Sequence, residues 1–112
     1  MMQNSLTDSL QPIRDRFIAI LADRQSEILT SLEVAMQTPE FATVELERIG
    51  GVMHKIAGTA GTLGFEALGE SAQKIEFSIL TSSRANGTYP AELWTDIVDW
   101  LELSSGLTRD AD

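Results

Sequence analysis

The chain has 112 residues, 43% of them hydrophobic and 22% charged, which suits one soluble globular domain with a single core over residues 1–112. With no cysteine there is neither a disulfide framework nor a thiolate metal site, and no apolar run approaches the roughly 20 residues that a membrane-spanning helix needs. A net charge of −9 opposes association with nucleic-acid phosphates and with anionic membrane surfaces, so neither is an expected partner.

The opening MMQNSLTDSL has neither the basic stretch nor the apolar core of a secretory signal, so a cytoplasmic location is expected. The N-terminal methionine and short tails suggest a standalone protein. Prolines stand only at 12, 39 and 90, and between them the apolar spacing is helical. In the first stretch Ile13, Phe17, Ile20, Leu21, Ile28, Leu32, Ala35 and Met36 follow the three-and-four spacing of an amphipathic helix. That stripe lapses over the polar run Asp23–Glu27. Either one long helix passes through it or, as expected here, a short helix breaks near Asp23 and restarts. Thr38-Pro39 marks a turn.

The second helix is predicted from about Phe41 to Leu63. With about 100° of rotation per residue, Ile49, Val52, Met53, Ile56, Ala60 and Leu63 share one broad face. His54, the only histidine, falls nearly opposite, with Glu47, Gly50, Gly51, Ala57, Gly58 and Gly61 around it on the outward strip. Gly64 suits a helix end, where a left-handed residue is often required. Phe65 opens the next element, a helix to about Ser82 whose stripe is Leu68, Ala72, Ile75 and Ile79. SSRANGTY reads as a loop with Asn86-Gly87 as its turn signal. Pro90 fits the first position of a last helix that buries Leu93, Ile97, Trp100 and Leu101, and the tail SSGLTRDAD is expected to fray. Trp94 and Trp100 read as packing residues, and Met36 and Met53 as core filler.

No segment alternates with a period of two. The fold class is therefore all-α: an antiparallel up-and-down four-helix bundle, with a short extra N-terminal helix where the first stripe lapses.

Glycine costs roughly 1 kcal/mol against alanine inside a helix, yet Gly50, Gly51, Gly58 and Gly61 crowd around the one imidazole. Close helix crossing explains one or two of them. Bare backbone around His54 would let another protein's surface reach the ring, and a neutral imidazole is a competent nucleophile. In-line phosphoryl transfer between two proteins needs such an accessible group. Other chemistry is poorly supported. One histidine without cysteine gives no transition-metal site, and Glu45 and Glu47 lie on different helix faces. No G-x-x-x-x-G-K-[ST] loop is present for ATP, and no strand precedes GTAGTLGF.

His54-Lys55-Ile56-Ala57-Gly58, then Leu63-Gly64-Phe65, Leu68 and Ile75-Glu76, resembles the histidine-containing phosphotransfer (HPt) domain. The motifs span about Val44 to Ile79, and the helical outline covers nearly the whole chain. The resemblance implies a four-helix bundle that carries a phosphoryl group on Nε2 of His54 between receiver-domain aspartates. It implies a phosphocarrier with no ATP site or cofactor of its own, Mg²⁺ residing on the partner receiver. Partners would be response-regulator receivers and a hybrid histidine kinase, and the chain would be a monomer. Gly58 matches the family glycine that keeps the site open. Ala57 stands where the family usually has lysine, which leaves a phosphoryl group less compensated. Lys55, one residue from the histidine, is poorly aimed for that job and reads mainly as a solvated charge. Lys74 points to solvent by its stripe. Glu76, at the family's polar position on the neighbouring helix, could accept a hydrogen bond from the ring's other nitrogen. Gln73, one turn earlier, could donate one to a phosphoryl oxygen. Gly50, Gly51, Lys55, Ala57, Gly58, Gly61, Gln73 and Glu76 are thus the candidate docking and support residues. Two alternatives remain: an adaptor that docks a receiver without being phosphorylated, and the dimeric phosphoacceptor hairpin of a histidine kinase.

Overall fold

A computed structural model describes residues 2–85 and 87–110. Four helices account for nearly all of them: α1 (Met2–Gln37), α2 (Ala42–Ala60), α3 (Glu66–Ala85) and α4 (Ala91–Asp110), with a single 3-10 turn, Pro39–Phe41, between the first two. There is no strand among the described residues. Successive helices run antiparallel and α4 closes the ring against α1, so the up-and-down bundle expected from the periodicity is present. Asn86 of the turn signal lies outside the described residues; its neighbour Gly87 has a φ of 74°, which favours glycine.

The core lies along the bundle axis, where Leu21, Ile28, Leu46, Ile49, Met53, Leu68, Ile75, Ile79, Leu93, Ile97 and Trp100 are almost wholly buried. Each such side chain contributes roughly 1.5–3 kcal/mol relative to exposure. Trp94 is half-buried against this core.

The expected break near Asp23 does not occur: α1 is continuous through Pro12 and through 23–27. The polar turn needs no break because Leu21 and Ile28 stand two turns apart on the same buried face. Between them the polar groups find partners: Arg24 pairs with Glu27 at 2.8 Å, the Ser26 hydroxyl donates to the Ala22 carbonyl, and Gln25 Nε2 donates to Thr108 Oγ1 at 3.5 Å. The tail expected to fray stays helical to Asp110, held by fully buried Ser104, which donates to the Leu101 carbonyl, and by Leu107 against the core. Met36 is not core filler but 66% exposed, and Ile13 and Ile20 are also exposed. Helix α3 runs one turn past Ser82, and Pro90 precedes α4, its carbonyl accepting from the Leu93 amide.

α2 ends at Ala60 rather than Leu63, because a tight turn over 61–64 reverses the chain. Gly64 takes a φ of +90°, as the helix-end reading expects. The Phe65 amide donates back to the Ala60 carbonyl at 2.8 Å, and Arg14 Nε of α1 donates to the Leu63 carbonyl at 2.9 Å. Phe65 then stacks on Phe17, ring centroids 5.4 Å apart, and pins the turn to α1. Small residues let α2 and α3 approach closely along a seam. A Cβ on Gly69 would lie 3.3 Å from the Gly61 amide nitrogen and 3.5 Å from Ala60 Cβ, and one on Gly50 would lie 3.4 Å from Ile79. This seam sets the distance between the outward side chains of the two helices.

Candidate functional site

His54 projects from the middle of α2 with its side chain 73% exposed. Across the seam, Glu76 of α3 is 19% exposed and its Oε2 lies 2.6 Å from His54 Nδ1. This contact puts a proton on Nδ1, which donates to the carboxylate; in the neutral ring the lone pair then lies on Nε2. The same hydrogen bond orients the ring, since the carboxylate is itself held half-buried on a packed helix.

Two depressions flank the ring along the seam. One is lined by Glu47, Gly50, Gly51, His54, Glu76 and Leu80, with Ser83 at its end. There the Ser83 hydroxyl donates to Glu47 Oε1 at 3.0 Å and ties α2 to α3 a second time. The other is lined by His54, Ala57, Gly58, Gln73 and Glu76. Among the described residues no lysine or arginine lines either depression.

The glycines divide into two kinds. A Cβ on Gly51, Gly58 or Gly61 would meet nothing within 4 Å; Gly51 and Gly58 line the depressions beside the imidazole, whereas Gly61 lies in the turn after α2 and lines neither. Gly50 is not on the open strip as expected. It is buried, because the seam brings Ile79 against it, and its small size serves packing as well as the depression it borders. Ala57 is half-buried, packing against the core while also lining the second depression. Gly69 is the tightest point of the seam.

Lys55 is not brought to the histidine's α3 side. The about 100° step along α2 turns it toward α1, where it lines a groove with Arg16, Ile20 and Thr59. Lys74 pairs with Asp96 of α4 at 3.5 Å and is thereby turned from the site. Sequence reasoning missed Ser83 and Leu80. Ser83 lies seven residues after Glu76, two turns along the same helix face, and that spacing is the signal that would have found it. Among the described residues no group of three or more histidine, cysteine, aspartate or glutamate side chains could hold a metal ion.

With this arrangement in view, comparison with known proteins is informative. A family model for the Hpt domain matches residues 16–105, which takes in parts of all four helices. The chain therefore belongs to the Hpt domain family. Membership supports a phosphotransfer role in two-component signalling, where Hpt domains work with receiver domains and kinases in phosphorelays. No curated protein and no solved structure matches the chain. Among the described residues no helix is long and apolar enough to cross a membrane.

Proposed function

We propose that this chain is a phosphorelay intermediate whose His54 accepts a phosphoryl group from a receiver-domain aspartate and passes it to a second receiver. The observation that carries the reading is the 2.6 Å contact between His54 Nδ1 and Glu76 Oε2. With Nδ1 engaged as the donor, Nε2 is the nitrogen whose lone pair is available in the neutral ring, and Gly51 and Gly58 add no side chain beside it.

In the accepting step the Nε2 lone pair forms the N–P bond in line as the P–O bond to the donor carboxylate breaks. The electron pair of that bond stays on the carboxylate. Nδ1 keeps its proton throughout, so no general base is required. The ring becomes a cation, and the Glu76 carboxylate lies against it at the nitrogen that stays protonated. The donating step is the reverse, with the second receiver's carboxylate as nucleophile. No basic side chain of this chain lines the depressions beside the ring. Compensation of the phosphoryl charge therefore falls to the receiver and its Mg²⁺, while this chain supplies position. Four helices of one chain enclose the core, which favours a bundle complete in itself over the two-copy hairpin of a histidine kinase.

The test is incubation with a phosphorylated receiver, comparing wild type with His54→Gln. Acid-labile, alkali-stable label is expected on wild type alone, with the helical circular dichroism of both unchanged. Equal labelling of the variant would refute His54 as acceptor. No label on wild type despite measurable receiver binding would favour the docking adaptor.

A further inference from the structure

Among the described residues, two side-chain bonds cross from α2 to α3: His54 Nδ1 to Glu76 Oε2 at 2.6 Å, and Ser83 Oγ to Glu47 Oε1 at 3.0 Å. They share one antiparallel register. Glu47 stands seven residues before His54, and Ser83 seven residues after Glu76. Seven residues make almost two whole turns and a rise of about 10.5 Å, so the second bond lies on the same strip as the first. Seven residues in the other direction, Gly61 faces Gly69, where an added Cβ would lie 3.3 Å from the Gly61 amide nitrogen. Gly61 keeps a helical φ of −61° and ψ of −40°, so the same register runs to the end of α2.

The three levels hold the hairpin in different ways. At Gly61 and Gly69 backbone meets backbone, which sets a distance but offers no side chain to resist tilt. Between the two bonds Gly50 lies bare against Ile79, again with no side chain of its own to key α3 in place. His54 itself is 73% exposed, and among the described residues only Glu76 bonds to its ring. Toward the open end of the hairpin, the polar fastening between the two helices is Glu47 with Ser83.

We infer that Glu47 and Ser83 are positioning residues for His54, their hydrogen bond holding α3 at the tilt that brings Glu76 to Nδ1. The geometry stands by itself; its consequence for transfer rests on the phosphotransfer reading above. Glu76 lies midway between Gly69 and Ser83. An outward tilt of about 1 Å at Ser83, pivoting on the glycine contact about 21 Å away, therefore displaces Glu76 by about 0.5 Å. The 2.6 Å bond then lengthens to about 3.1 Å, beyond the roughly 2.7–2.9 Å of a charge-assisted hydrogen bond. Glu47 is exposed and Ser83 half-buried, and one such bond adds little to the stability of the fold. Its effect is expected at the ring, through Glu76.

The experiment removes the bond with Glu47→Ala and Ser83→Ala, and retains it with Glu47→Gln and Ser83→Thr, which keep an acceptor oxygen and a hydroxyl. Two quantities are read without a receiver. One is the ¹⁵N chemical shifts of His54 on the alkaline plateau of its titration. The other is the rate of labelling by phosphoramidate, a small donor whose P–N bond breaks, releasing ammonia, as Nε2 bonds to phosphorus. In both alanine variants the shifts are expected to move from a single Nδ1–H tautomer toward a mixture, with labelling slowed about threefold. Receiver-dependent kcat should fall in step, at unchanged KM. Both effects should be absent in Glu47→Gln and Ser83→Thr, and the double alanine variant should be no worse than either single one. Unchanged helical circular dichroism would exclude misfolding of the variants. Wild-type shifts in Ser83→Ala, or a Glu47→Gln protein as impaired as Glu47→Ala, would overturn the inference. So would a raised receiver KM with shifts and labelling unmoved, which would assign the pair to contact with the partner. Wild-type protein left unlabelled by phosphoramidate would instead overturn the phosphotransfer reading, while the shifts would still decide the role of the pair.

Discussion

Replacing Gly51 with alanine tests whether the bare strip beside His54 is held against the helix's own preference. Gly51 lies in the interior of α2, and a Cβ there would meet nothing within 4 Å. No packing term opposes the change, so the effect is that of propensity alone, in which glycine is worse than alanine by roughly 0.5–1 kcal/mol. Unfolding entropy near 60 °C is about 2.1 cal/mol/K per residue, or about 0.24 kcal/mol/K for 112 residues. The expected result is therefore a rise in Tm of about 2–4 °C, followed by far-UV circular dichroism and checked by a matching rise in urea midpoint at unchanged m-value. Gly51→Leu should keep much of that stability and slow transfer from a receiver, because the longer side chain fills the depression that borders the ring. A Tm that is unchanged or lower in Gly51→Ala would refute the claim that this glycine stands in open space and serves the surface rather than the fold.

Two further substitutions separate the seam from the site. Glu76→Gln keeps an acceptor oxygen for Nδ1 but removes the charge opposite the ring; hydrogen bonds to charged groups contribute about 1.5–3 kcal/mol, so a fall of about tenfold or more in transfer rate is expected, with Glu76→Ala lower still, read by rapid-quench kinetics. Histidine ¹⁵N chemical shifts should move from a single Nδ1–H tautomer toward a mixture in Glu76→Ala, and an unmoved spectrum would contradict the assigned role. Gly69→Leu should behave oppositely to Gly51→Ala: backbone lies 3.3 Å from the added carbon, so α2 and α3 must part, at a loss of about 1–3 kcal/mol in urea denaturation. That variant should also lose the single-tautomer signature, since the His54–Glu76 distance depends on the seam.

Much of this molecule is readable from spacing, and the departures have specific causes. The bundle and the outward direction of His54 follow from period alone, because large apolar residues mark the buried face of each helix. Gly50 and Gly51 show the limit. They are the same residue side by side, yet one packs against Ile79 and the other meets nothing. A helical wheel centred on bulky side chains cannot see that an absent side chain invites a neighbouring helix inward. The continuity of α1 was hidden because a polar turn resembles a break unless its local pairs and the Leu21–Ile28 register are considered together. Glu76 was legible through the resemblance and not through pattern, since no single-helix periodicity reports the register between α2 and α3. Lys55 was separated from the α3 side of the site by one step of rotation.

Neither α1 nor α4 contributes a side chain to the two depressions beside His54; the imidazole, its carboxylate partner and the bare glycines all belong to the α2–α3 hairpin and its tight turn. Trp100, Ile97 and Leu93 of α4 lie in the core, behind that hairpin. The molecule therefore separates two kinds of inheritance. Sequence drift in α4 is felt as a change in how long the bundle survives, while drift along the hairpin is felt as a change in what the imidazole can do. A lineage could rebuild its fourth helix many times over and still hand on the same reactive group.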